Sequence, residues 1–465
     1  MNVPSPRPFL VAIDAQVSTK VTGGTETALF TLLEALRDTR PDDPVLVIGL
    51  TKSTHELDPF LGPSMRSIPW PVSYTWYVAQ EAQAKRYSPR FQKLAAALPL
   101  GEETIAQFHR RFMERPMSPR VTALARKYRV FRHWTPIVWR VYAGLRYGAA
   151  SLPPGNGDRI LKDQGVDVIH FPYPHHFDTS VPFVFEPWGL PHLHEKELFS
   201  EGEAEWMDEL FGDGCRKAKM VVTATRWVKQ DLARHYGLDP DKIAVIPRKP
   251  PLFKEDTSLV ELPPGTPERF GLFPSTTWPT KNHIRLLRAV ALLRDERGLR
   301  VNLVCPGRTK TTNWPEIKAE WERLKLQDQV LFPGSIPLPQ LIALFKKASY
   351  LVHPSTFEGL GLPLIEAFQY GLPVLSSTAT CKPEVVGDAA ILFDALDERS
   401  IADAIAKAEQ SPELLRDLAA RGTRRVEEAF PDPAKLADMF MTVYRHAAGR
   451  PLNDRQAALL KEMLA

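Results

Sequence analysis

At 465 residues the chain exceeds what one hydrophobic core usually serves, so its length calls for two domains. Hydrophobic residues at 44% and charged residues at 25% match an ordinary soluble globular protein, and no solenoid repeat or low-complexity segment breaks the pattern. The net charge of +4 is unevenly spread: residues 85–146 carry 14 Lys and Arg against three Glu, a local +11 that leaves −7 on the remainder and points to one basic surface facing an anionic partner.

In chain order, the first apolar run, at 9–13, stops at Asp14 and is too short for the apolar region of a signal peptide. No stretch approaches the roughly 18 apolar residues of a membrane-spanning helix, so a cytoplasmic location is the default expectation. The run reads instead as a strand. Similar β-rich runs follow at 45–50, 166–171, 182–186, 220–224 and 243–246, and again at 269–273, 300–305, 329–332, 350–353, 373–376 and 390–393. Amphipathic segments such as 27–37, 282–294, 338–347 and 363–370 lie between them. Strands alternating with helices predict an α/β protein with parallel sheets covered on both faces.

The series restarts near residue 269, after a stretch at 248–267 that holds five prolines and reads as a linker. The expected organisation is a doubly wound domain over 1–258, a second over 259–432, and C-terminal helices at 433–465 returning toward the first. Ligands in such folds gather at the C-terminal ends of strands, and a cleft between the halves is the natural site. A basic, aromatic segment at about 70–157 interrupts the first pattern as a helical insertion. Its composition suits docking at an anionic membrane that carries a lipid-linked acceptor, or equally a solvated helical surface. Nucleic-acid binding is not expected, because no recognised module accompanies the charge. Cys215, Cys305 and Cys381 are far apart and lack metal-ligand spacing, so they read as buried packing residues, and neither a metal nor a cofactor is expected.

The richest stretch runs from His353 to Glu366. A strand leads into a loop with Gly359 and Gly361, then into a helix with Pro363 in its first turn and Gly371 at its C-terminal end. The amides of Gly361 and Leu362 at a positive helix end form a receptor for phosphate. Glu358 and Glu366 flank the loop, and carboxylates beside a phosphate site are favourable when they accept hydrogen bonds from neutral hydroxyls, as a nucleotide-sugar supplies. Taken singly, each glutamate reads as a solvated surface residue. Upstream, Lys281 opens a helix within Trp278-Pro279-Thr280-Lys281-Asn282-His283, where it could meet a pyrophosphate as a point charge. In the first half, Gly23-Gly24 follow the first strand and permit close backbone approach.

Glu358 and Glu366, eight positions apart, resemble the E-x7-E signature of the retaining glycosyltransferase family 4, of GT-B architecture. The runs 371–376 and 383–390 and the lysine-bearing segment are similar to the same family over 269 to about 430. The resemblance implies two Rossmann-like domains facing across a cleft and metal-independent, retaining transfer of a sugar from a nucleoside-diphosphate donor. It assigns Glu358 to the donor sugar, Glu366 to the ribose, and Gly359, Gly361 and Leu362 to the diphosphate. Lys281 is assigned to the leaving group, and Gly23-Gly24 to the donor phosphates and acceptor. Where relatives carry a further arginine, about six residues before the lysine, this chain has Ser275, which leaves Arg248 or Arg308 as substitutes. Where relatives carry a His-Asp pair it has Trp188-Gly189. Trp188 could stack on a sugar, or another histidine, such as His175, His176, His192 or His194, could enter the site. Acceptors of glycan or lipid-linked type are implied, in surface polysaccharide synthesis. The competing readings are a non-catalytic nucleotide-sugar-binding partner of another transferase and a nucleotide-sugar epimerase.

Overall fold

The computed structural model describes residues 7–16, 24–50, 54–70, 155–177, 179–199, 201–253, 256–309 and 311–465. Gly23 and nearly all of the basic insertion at 70–157 lie outside the described residues, and Gly24 begins the helix Gly24–Thr39. Among the described residues no helix is long and apolar enough to cross a membrane.

Two parallel sheets organise the chain. The first contains β1 (Val11–Ala15), β2 (Val45–Leu50), β3 (Met65–Trp70), β4 (Val168–Phe171), β5 (Phe183–Phe185), β6 (Met220–Thr223) and β7 (Ile243–Val245), in the order β3-β2-β1-β4-β5-β6-β7. The second contains β8 (Gly271–Leu272), β9 (Leu303–Val304), β10 (Val330–Leu331), β11 (Tyr350–His353), β12 (Val374–Ser377) and β13 (Ala390–Phe393), in the order β10-β9-β8-β11-β12-β13. Each order reverses once, between β1 and β4 and between β8 and β11. At such a switch point the connections leave in opposite directions and open a crevice beyond the strand ends. Among the described residues no helix or strand lies between β7 and β8.

By packing density the chain forms two compact units. One comprises 1–186 with 213–220 and 441–454; the other comprises 187–212 with 221–440 and 455–465.

In the first unit, Val11, Ile13, Leu46, Ile48, Ile169 and Phe171 are fully buried strand residues. At the ends of β1 and β4, His175 Nε2 lies 3.1 Å from an oxygen of the buried Asp14, and Tyr173 stacks on the His175 ring. The helix Pro433–Ala447 adds Tyr444, whose hydroxyl is 2.8 Å from Nδ1 of buried His170; the opposite nitrogen of that ring faces Glu186 at 3.5 Å. Arg450 and Arg7 both pair with Asp167, just ahead of β4.

In the second unit, consecutive strand residues point to opposite faces. Leu303, Cys305, Tyr350, Val352 and Leu375 meet the helices His283–Arg297 and Glu398–Gln410 through Leu287, Val290, Ile401 and Ile405. Leu272, Val304, Leu351 and Val374 meet the other layer, formed by Leu338–Lys347, Leu362–Gln369 and Pro412–Ala429, through Leu344, Ile365, Phe368 and Val426. Both faces are apolar, which is why these short strands read as unbroken hydrophobic runs. All three cysteines are buried, and none forms a disulfide.

Candidate active site

The site lies in the second unit, where the loops leaving β8 and β11 meet at the sheet's switch point. After β8 the chain makes a single helical turn, Pro279–Lys281, and reverses through Asn282 in the left-handed region (φ 64°) before the helix His283–Arg297. The Asn282 amide donates to the carbonyls of Pro354 (3.0 Å) and Ala395 (2.7 Å), and the Thr280 carbonyl accepts from the backbone N–H of Thr356 at 2.8 Å. These bonds hold the two loops together and aim Lys281 at the β11 loop.

The β11 loop runs from buried His353 to Gly361, which adopts φ 79° as it turns into the helix Leu362–Gln369. A side chain at 361 would have to adopt that left-handed backbone, which favours glycine, while its contact with the Leu364 methyl at 2.9 Å could be relieved by a turn of that side chain. Pro363 sits in the first turn, where the amides have no helical acceptor. At the far end Gly371 is left-handed (φ 67°), and Leu372 N–H returns to the Ala367 carbonyl at 2.8 Å.

Glu358 is the centre of the arrangement. Its Oε1 accepts from Lys281 Nζ at 2.7 Å and lies 3.0 Å from His353 Nε2. Its backbone is gripped by the next loop: Glu358 N–H donates to the Thr380 hydroxyl, and its carbonyl accepts from Thr380 Oγ1 at 3.0 Å and Cys381 Sγ at 3.1 Å. Burial by itself would raise the Glu358 carboxyl, but Lys281, the His353 hydrogen bond and Lys382 outweigh it and hold the group well below the ordinary carboxylate range. Glu358 is therefore ionised at neutral pH.

Lys382 carries no signal in the sequence that marks it for the site. It opens the short helix Lys382–Val386, is fully buried, and its Nζ has no hydrogen-bond partner among the described residues. Burial lowers its amine to about 8, against the attraction of Glu358. His353 ends β11, and burial lowers its imidazole while Glu358 pulls it up. Nothing in the local pattern around either residue marks it, since both roles depend on loops that meet only in the fold. Glu366, half-buried one turn into the helix, has its carboxyl pushed up to about 7 by burial alone.

The segment 187–190 belongs to the same unit and lies against this loop. Trp188 takes a left-handed backbone (φ 61°), and its carbonyl packs on the Cα of Gly359. A side chain on Gly189 would touch the Phe357 ring at 3.2 Å. The guanidinium of buried Arg248 lies 4.9 Å from the Trp188 ring centre and 5.0 Å from that of Phe440. One of the two bases considered as substitutes for an arginine at 275 is thus enclosed between aromatic rings. The other, Arg308, is exposed and lies over Trp278. His192 is fully buried edge-on to Phe211, and burial lowers its imidazole to about 4; its surroundings are those of a packed core residue. Glu384 accepts from the backbone N–H groups of Arg226 (2.8 Å) and Trp227 (2.9 Å), at the start of the helix Arg226–Tyr236, so its carboxylate is committed to a helix end.

Residues 256–425 match the family model for Glycosyl transferases group 1, and residues 101–248 match that for Glycosyltransferase Family 4. O-antigen chain mannosyltransferase RfbU of Salmonella typhimurium is 30% identical over 292 residues, covering 60% of this chain and 73% of that protein. The chain belongs to glycosyltransferase family 4. O-antigen chain mannosyltransferase B of Escherichia coli is 27% identical over 294 residues, covering 60% of this family 4 chain and 74% of the relative. Among solved structures, a glycosyltransferase from Rickettsia africae superposes with a TM-score of 0.58 at 14% identity, covering 95% of this chain and 99% of that one. Anabaena HepE in complex with UDP and glucose gives 0.57 at 15% identity, covering 94% and 100%. At such identities the likeness concerns the fold, which is GT-B. The protein is a glycosyltransferase.

Proposed function

We propose that this glycosyltransferase moves a hexose, with retention of configuration, from a nucleoside-diphosphate donor to a glycan or lipid-linked acceptor in the assembly of a surface polysaccharide. The observation that carries the reading is Glu358, kept ionised by Lys281 and His353 beside the open first turn of the helix Leu362–Gln369. In this reading the diphosphate rests on the amides of Gly361 and Leu362, Glu366 accepts from the ribose, and Glu358 orients the sugar. As the glycosidic bond breaks, negative charge grows on the departing diphosphate, and Lys281 with the helix end stabilises it in place. The acceptor hydroxyl approaches from the same face as the leaving group. The two O-antigen mannosyltransferases among the relatives make mannose the first sugar to try.

The test is a thermal-shift and turnover screen with GDP-, UDP-, ADP- and dTDP-sugars, with product anomers read by NMR. One nucleotide should stabilise the protein, and turnover should disappear in Glu358→Gln while that variant stays folded. An inverted product would refute retention. Stabilisation without turnover, even with acceptors supplied, would favour a non-catalytic nucleotide-sugar-binding partner. The feature favouring that second reading is Trp188, in the place where relatives carry a histidine and stacked on Arg248.

A further inference from the structure

We propose that His194, Asp231 and His235 form a binding site for a divalent transition metal, with zinc the best match. Asp231 and His235 stand one turn apart on the helix Arg226–Tyr236 and so share a face, while His194 comes from the short helix Pro191–His194. His194 Nε2 lies almost equally far from the two Asp231 oxygens, 2.8 and 2.9 Å, instead of selecting one as a simple hydrogen bond does. His235 Nε2 converges on the same carboxylate at 3.3 Å, and one ligating atom from each residue falls within 4.8 Å of the others. Tetrahedral zinc with nitrogen and oxygen ligands near 2.0 Å holds neighbouring ligand atoms about 3.3 Å apart, so small side-chain adjustments admit the ion. Two imidazoles favour zinc, cobalt or nickel over magnesium or calcium.

Asp231 is buried (3% exposed) whereas His194 and His235 are about a third exposed (32% and 35%), which leaves the outer coordination position open to water. The metal would act as a brace. The His194 ring packs 5.5 Å from Phe357, the residue before Glu358, and 5.4 Å from Trp227. The expectation of no metal follows from the cysteine spacing and from the family resemblance, neither of which bears on these residues, and a histidine 37 positions from its aspartate partner leaves no local signature.

The experiment uses tag-free protein stripped with EDTA and desalted. Zinc chloride is titrated by calorimetry, and cobalt by visible absorption. The expected result is saturable uptake of one equivalent per chain, with a tetrahedral cobalt spectrum, weakened at least tenfold in His235→Gln and lost in the His194→Gln/His235→Gln double variant. Circular dichroism would establish that both variants fold. Absence of saturable uptake, or uptake unchanged in the folded double variant, overturns the site and leaves Asp231 as a plain acceptor for two imidazoles. Metal uptake is read without donor or acceptor, so either result stands apart from the proposed transfer.

Discussion

The carbonyl oxygen of Trp188 lies where a side chain on residue 359 would begin: a Cβ there would be 1.9 Å from it. Backbone cannot yield as a flexible side chain can. Gly359→Ala should therefore destabilise the protein by about 2 kcal/mol or more through forced displacement of one segment. It should also disturb Glu358, its neighbour. Chemical denaturation of the variant checks this; an unchanged midpoint would mean the two segments are not packed as described.

Lys281→Met should cut transfer at least about 100-fold, the scale of losing one preorganised charge partner. It should also change acid stability. The Glu358 carboxyl is held low, so its stabilising contribution is present above its ordinary value of 4.5 and lost as pH falls through the folded-state value. Without Lys281 that folded-state value rises, and acid unfolding should begin at a higher pH than in the wild type. Melting temperatures between pH 3 and 7 measure the shift.

Lys382 runs the other way. Its amine is lowered from 10.5 to about 8, so between these values the unfolded chain binds more protons and stability rises with pH. The wild type should gain melting temperature relative to Lys382→Met as pH climbs from 8 toward 10. Parallel curves would show that the ammonium is not confined as its burial implies.

For Glu366 the carboxyl is raised from 4.5 to about 7, so its favourable contribution is complete below 4.5 and disappears as pH rises through 7. Glu366→Gln should flatten the loss of stability between pH 5 and 8. If the proposed ribose contact is correct, nucleotide binding to the wild type should strengthen over the same interval, because the ionised carboxylate is the better acceptor. Glu366→Gln should remove that pH dependence.

Every apolar run read as a strand from sequence is a strand, though several are shorter: 269–273 narrows to Gly271–Leu272, where ladder pairing with β9 and β11 is confined. The strand missing from the sequence reading, Met65–Trp70, is the edge of its sheet and contains Arg66, Ser67 and Pro69. An edge strand is half solvated and tolerates proline, so it carries no apolar run to detect. At the site, Glu358, Glu366 and Gly361 were legible because one continuous loop and helix hold them. Lys382 and His353 were not, because their meaning arises from Thr380, Cys381 and Glu358 closing on one another. Trp188 could be placed by its spacing from His192, but its left-handed backbone and its partner Arg248 could not.

The buried pairing of Tyr444 with His170 joins residues 274 positions apart. During synthesis, β4 leaves the ribosome long before the helix that supplies its hydroxyl. The first unit, although it starts at the N-terminus, is thus finished late, after the entire second sheet has been made. A nascent chain halted at residue 440 would hold a complete second sheet and a first unit still lacking 441–454. The unit that is translated first is thus still open when every strand of the second sheet has been made.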